Sequence, residues 1–113
     1  LVHASLRSGA LKLGFPNPRG WLAYYWHETL LVKRAGFEAG IEYWDLGSSS
    51  ECYCNDRFLE LETLGPAGTL EPEDSVCHRE VWQLHGGVAF TPDEGALQAL
   101  VETYGLDAGS PYL

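Results

Sequence analysis

The chain reads as a mainly β protein: an antiparallel β-sandwich or strongly curved sheet of about six to eight strands, carrying one C-terminal helix near residues 92–104. Three observations predict this. Short runs rich in aromatic and aliphatic residues, such as 21–26 and 29–34, are set off by turn-forming residues. The segment Phe58-Leu59-Glu60-Leu61-Glu62-Thr63-Leu64 alternates strictly, which places Leu59 and Leu61 on one face of a strand and Glu60 and Glu62 on the other. Helical spacing with clear end signals occurs in one segment only, close to the C-terminus.

In chain order, residues 11–14 form a short strand, and Phe15-Pro16-Asn17-Pro18-Arg19-Gly20 is a loop in which each Pro fixes φ and removes a donor. Residues 21–26 and 29–34 pair as a hairpin across His27-Glu28, a turn without the Gly or Asn that two-residue hairpins favour. Residues 35–50 hold Gly36, Gly40, Gly47 and three serines around Ile41-Glu42-Tyr43-Trp44, which predicts a long loop suited to binding. A second strand pair is expected from 51–55 continuing through 58–64 and from 75–85, joined by a Gly/Pro-marked connection. Asn55 is expected to serve the turn at Asp56-Arg57. Val76, His78, Glu80, Trp82 and Leu84 then share one face of the last strand.

The helix signals run from Thr91 to Gly105. Thr91 and Glu94 have the spacing of a capping box, with Pro92 in the first helical position. Leu97, Leu100, Val101 and Tyr104 form the apolar face, and Gly105 supplies a left-handed stop. The tail 107–113 is turn-like.

The 113 residues suit a single domain, 1–113. A net charge of −9 disfavours nucleic acid and anionic membranes as partners. With 45% apolar residues the chain can bury enough surface to be globular. No run approaches the roughly 18 consecutive apolar residues of a membrane span, and residues 1–10 lack a secretion-signal core. A cytoplasmic protein is expected. The sequence does not open on Met, which is the expectation for a trimmed or excised piece. Cys52, Cys54 and Cys77 cannot all pair within one chain, so free structural thiols are expected. With His78 they could also sketch a metal site, but Cys-x-Cys on a strand splays its ligands, so neither a metal nor another cofactor is expected. His85-Gly86-Gly87 has no helix directly after it and reads as a link from sheet to helix, not a phosphate-binding turn.

Gly20-Trp21-Leu22-Ala23-Tyr24, then Leu31-Val32-Lys33-Arg34, then Glu51-x-Tyr53-x-Asn55-x-x-Phe58 to Pro66, then His78-x-Glu80-x-Trp82, resemble the C-terminal part of bacterial galactose mutarotase-like proteins. The similarity covers about residues 10–85 and is most specific over Phe58–Pro66; the helix at 91–105 is an addition. It implies the closing strands of a sugar-binding β-supersandwich two to three times longer. Such a part, standing alone, would expose strand edges and apolar surface, which predicts a homo-oligomer, a dimer foremost. Epimerases of that family pair a carboxylate base with a histidine acid, and His3, His27, His78 and His85 match none of its histidine motifs. No catalytic residue is therefore assigned.

For ligand binding the candidates are Trp21, Lys33, Trp44, Glu51, Glu60 and Glu62. The carboxylates would accept hydrogen bonds from sugar hydroxyls, Lys33 would supply a cation, and Trp21 or Trp44 would stack on the ring. The competing reading makes Glu60 and Glu62 a solvated sheet face paired with Lys33, Arg34 or Arg79, and the aromatics core. Three functions follow: a non-catalytic carbohydrate or small-polar-ligand module, a degenerate or oligomer-completed sugar epimerase, and an interaction or structural oligomer.

Overall fold

The computed structural model describes residues 9–109. Among them are six strands in two three-stranded antiparallel sheets. β1 (Ala10–Phe15), β4 (Ser50–Asn55) and β5 (Leu59–Thr63) form the first, in the order β1-β4-β5; β2 (Trp21–Trp26), β3 (Thr29–Ala35) and β6 (Glu80–Gly86) form the second, in the order β2-β3-β6. The predicted class is therefore the observed one. His3 and the last four residues of the tail lie outside the described residues.

The core sits on one face of the second sheet. Alternation along β2 and β3 turns Trp21, Ala23, Tyr25, Leu30 and Val32 to the same side. There Val88, Leu106 and the helix α2 (Glu94–Thr103) cover them through Leu100 and Val101. Tyr25 meets Phe90 edge-on at 5.2 Å between ring centres and donates its hydroxyl to the Val88 carbonyl. On this same face Arg34 is 6% exposed. Its Nε donates to Gln83 Oε1 at 3.1 Å, and its two Nη atoms donate to the carbonyls of Gly105, Leu106 and Ala108 at 3.0–3.2 Å. One guanidinium thus fastens the chain that leaves α2 to the central strand of the sheet.

Three expectations are corrected. The last strand begins at Glu80 instead of Ser75, and it pairs with β3 in the second sheet rather than with the Phe58–Leu64 strand. That strand forms its own hairpin with β4, because Asn55 Oδ1 accepts from the amides of Arg57 and Phe58 at 2.8 and 3.0 Å and reverses the chain there. The helix starts two residues later than the capping box proposed: Asp93, not Thr91, is the N-cap, its carboxylate accepting from Ala96 N at 2.8 Å. A carboxylate complements the helix N-terminus better than a hydroxyl, and these hydrogen bonds lower the Asp93 pKa.

The His27-Glu28 hairpin forms as expected, and both residues take left-handed backbone, φ 44° and 57°. Glu does not favour that region, and neither residue is the Asn or Gly that such a turn prefers. Replacing the pair with Asn-Gly is expected to raise stability by about 0.5–1 kcal/mol, read as a shifted urea midpoint at unchanged slope.

The two sheets are joined at one end by a polar cluster. Lys33 Nζ lies 2.8 Å from Glu80 Oε1, donates to the Leu61 carbonyl at 2.9 Å, and sits 5.3 Å from the centre of the Trp82 ring. Glu80 also accepts from Thr63 Oγ1 and from the Trp82 indole. A second joint is Asn17, whose amide side chain donates to Trp21 O and Ser50 Oγ. Gly20 closes it: a Cβ there would fall 2.6 Å from the Ala35 carbonyl. Burial opposes ionisation of Glu80, but hydrogen bonds from Lys33, Thr63 and Trp82 outweigh it and hold the carboxyl below 4.5. A carboxylate depressed on folding stabilises above its unfolded value and loses that contribution as pH falls through the folded one. The melting midpoint is accordingly expected to drop on acidification below about pH 4.5, and Glu80→Gln should flatten that drop in thermal melts.

Candidate functional site

The polar face of the first sheet is built by register. β1 pairs with β4 and β4 with β5 so that Gly14, Glu51 and Glu62 form one cross-strand row, and Lys12, Tyr53 and Glu60 form the next. All six side-chain positions point to the same face. Two carboxylates directly opposite one another disfavour sheet pairing unless a cation is near, and Lys12 supplies it. Its Nζ lies 2.7 Å from Glu51 Oε2 and 3.6 Å from Asp45 Oδ2.

The segment between β3 and β4 closes over this face. Tyr43 anchors it, 4% exposed, stacked on Phe37 and accepting the Glu38 amide through its hydroxyl. A single turn, α1 (Trp44–Gly47), follows, with Asp45 and Leu46 both left-handed at φ 49° and 62°. Non-glycine residues held in that region cost free energy and concentrate at ligand-binding turns. Ser48 Oγ donates to the Asp45 carbonyl at 2.7 Å and fixes the turn. The result is a cleft of about 330 Å3 lined by Lys12, Gly14, Phe15, Pro16, Asp45, Leu46, Ser48 and Glu51.

Glu51 forms its floor, only 2% exposed. Gly14 lets Ser48 and Glu51 pack tightly against β1: a Cβ at this position would fall 3.1 Å from Glu51 Oε1 and would collide with Ser48 Oγ. The hydrogen-bonded Glu51 carboxylate, aided by the charges of Glu62 and Asp45, raises the Lys12 pKa against a smaller desolvation effect. The cleft therefore presents the Lys12 ammonium and the Asp45 carboxylate, with Glu51 and Ser48 buried behind them, beside the surfaces of Phe15, Pro16 and Leu46.

Of the residues singled out from sequence, Glu51, Glu60 and Glu62 share this sheet face, Glu51 inside the cleft and Glu62 beside it. Trp44 is 60% exposed at the start of the turn that supplies Asp45 and Leu46. Trp21 and Lys33 lie elsewhere. Trp21 packs against the core of the second sheet and donates its indole N–H to Asp107, while Lys33 is held by Glu80 with its side chain 12% exposed. The cation in the cleft is Lys12, which sequence reasoning passed over together with Asp45 and Ser48. The only signal was a Lys two residues before a Gly on a short strand, and it acquires meaning only with the β1–β4 register.

The histidines among the described residues are dispersed. His27 stacks edge-on with Trp26, His78 bonds Thr63 Oγ1, and His85 packs on Tyr104. Cys54 is buried, Cys52 half-buried and Cys77 exposed, and burial pushes the Cys52 thiol pKa up. Among the described residues no three His, Cys, Asp or Glu side chains converge to hold a metal, and no helix is long and apolar enough to cross a membrane.

The fold and site define a two-sheet antiparallel β protein with a small polar cleft at one sheet face. The chain matches no protein-family model, no curated protein and no solved structure.

Proposed function

We propose that the protein is a carbohydrate- or small-polar-ligand-binding module of mutarotase-like descent, and that it binds in the Lys12–Glu51 cleft without catalysing a reaction. The observation that carries this reading is a cleft in which half-exposed Lys12 and exposed Asp45 face solvent while the nearly inaccessible Glu51 holds the lysine from beneath at 2.7 Å. A volume of about 330 Å3 lies at the small end of ligand sites and suits one sugar ring or a molecule of that size. Carboxylates and an ammonium hydrogen-bond hydroxyls in pairs, and Phe15, Pro16 and Leu46 can cover the C–H face of a ring. Glu51, Asp45, Glu60 and Glu62 outnumber Lys12, so the site favours neutral or cationic ligands over sugar acids and phosphates.

Ring opening of an aldose needs an acid opposite the carboxylate base. His27, His78 and His85 all have partners away from the cleft, which supports binding over epimerase chemistry. The test is a calorimetric titration with neutral pyranoses, alongside polarimetry of the same sugars. Saturable binding with a Kd of roughly millimolar order, weakened at least tenfold by Glu51→Gln, and no mutarotation above background is the expected result. Turnover abolished by Glu62→Gln would instead establish the epimerase, and no binding by any sugar would remove the carbohydrate reading.

A further inference from the structure

The second sheet has a face that the helix does not cover. Trp26, Tyr24, Leu31, Leu84 and Trp82 all point away from α2, on the side where β5 reaches only the Leu22 and Lys33 end. Trp26, Trp82 and Leu84 are 61%, 65% and 72% exposed. We propose that this face packs against the same face of a second copy of the chain, forming a two-fold dimer of stacked sheets. The inference stands apart from the cleft, which lies on the other sheet.

Two features select a second copy as the occupant. The first is area. The exposed parts of these aromatic and leucine side chains present roughly 500 Å2 of apolar surface, at the upper end of what monomers leave open. Two such patches face to face bury about 1,000 Å2, the lower limit of a specific interface, so the dimer is a weak one. The second is charge. Each copy carries −9, so two copies repel over most of their surface. The charged side chains on the strands of this face are Lys33 and Glu80, and they neutralise one another at 2.8 Å. Of the other carboxylates, Glu28 sits at the edge of the face in the turn after Trp26, and the rest lie off this sheet, on the first sheet and its hairpin turn, in the 36–49 and 64–79 connections, and on α2 and its flanks. Uncharged surface is where two copies of so acidic a protein can meet, and stacked antiparallel sheets are its natural geometry.

Sedimentation equilibrium over a concentration series from about micromolar to millimolar tests the proposal. The unaltered chain is expected to pass from monomer to dimer within that range. Leu84→Lys should stay monomeric throughout with an unchanged melting midpoint at the lowest concentration, and Trp26→Lys, at the far end of the face, should do the same if Leu84→Lys fails to fold. Val76→Lys, on the exposed connection outside the face, should dimerise as the unaltered chain does. A monomer at every concentration overturns the proposal, as does a dimer indifferent to both face substitutions. Retention of a monomer on a neutral polysaccharide gel, lost in Trp82→Ala, also overturns it and makes the face a ligand platform.

Discussion

Arg34→Ala is expected to destabilise the protein by about 3 kcal/mol or more, a loss in the upper range for a single substitution. The guanidinium is nearly inaccessible and satisfies four acceptors, and among the described residues it forms no ion pair. Its charge is balanced by the carbonyls that follow α2, where the helix dipole also favours a cation. Removing it takes a donor from all three carbonyls, leaves the buried Leu106 carbonyl without its partner, and unties the segment after α2 from β3. Arg34→Lys should recover less than half of the loss, because one ammonium cannot reproduce the fork that reaches Gln83 and three carbonyls together. Urea midpoints of the three proteins, with the slope as a control for two-state behaviour, make the comparison.

Gly14→Val is expected to act on the site. Its Cβ must displace Ser48 Oγ, which holds the Asp45 carbonyl, and it crowds Glu51 Oε1 at 3.1 Å. Overpacking of this kind costs about 1–3 kcal/mol, and the added methyls occupy the mouth of the cleft. Ligand binding should fall below detection at a temperature where the variant is still fully folded by circular dichroism. Gly14→Ala, with a smaller intrusion, should give an intermediate effect on both readouts. Unaltered binding in Gly14→Val would place the ligand elsewhere on the molecule.

Much of the fold is legible in the sequence because local chemistry dictates it. The aromatic runs flanking His27-Glu28 make a hairpin, Asn55 turns the chain as its short side chain suggests, and Leu100 and Val101 bury the helix face that their spacing defines. Partner choice is less legible, since a strand's own pattern does not say which strand lies beside it. The run from Ser75 to Arg79 alternates as a strand would, yet only Glu80 onward finds an open edge, that of β3. Two carboxylates of the sheet face beside the cleft were visible because alternation alone puts Glu60 and Glu62 together. Lys12, Asp45 and Ser48 were not, because they approach Glu51 only through the β1–β4 register and a left-handed turn at two residues that rarely adopt it. Lys33, the cation that sequence reasoning preferred, went instead to the joint between the sheets.

Amide chemical-shift mapping during a titration with a neutral pyranose locates the ligand relative to the cleft at Glu51. The shifts are expected to concentrate at residues 12–16 and 45–51, with the Trp21 and Trp82 indole signals unmoved, and to vanish in Glu51→Gln. Shifts centred on Trp26 and Trp82, with residues 12–16 and 45–51 unmoved at saturation, would contradict binding in the cleft.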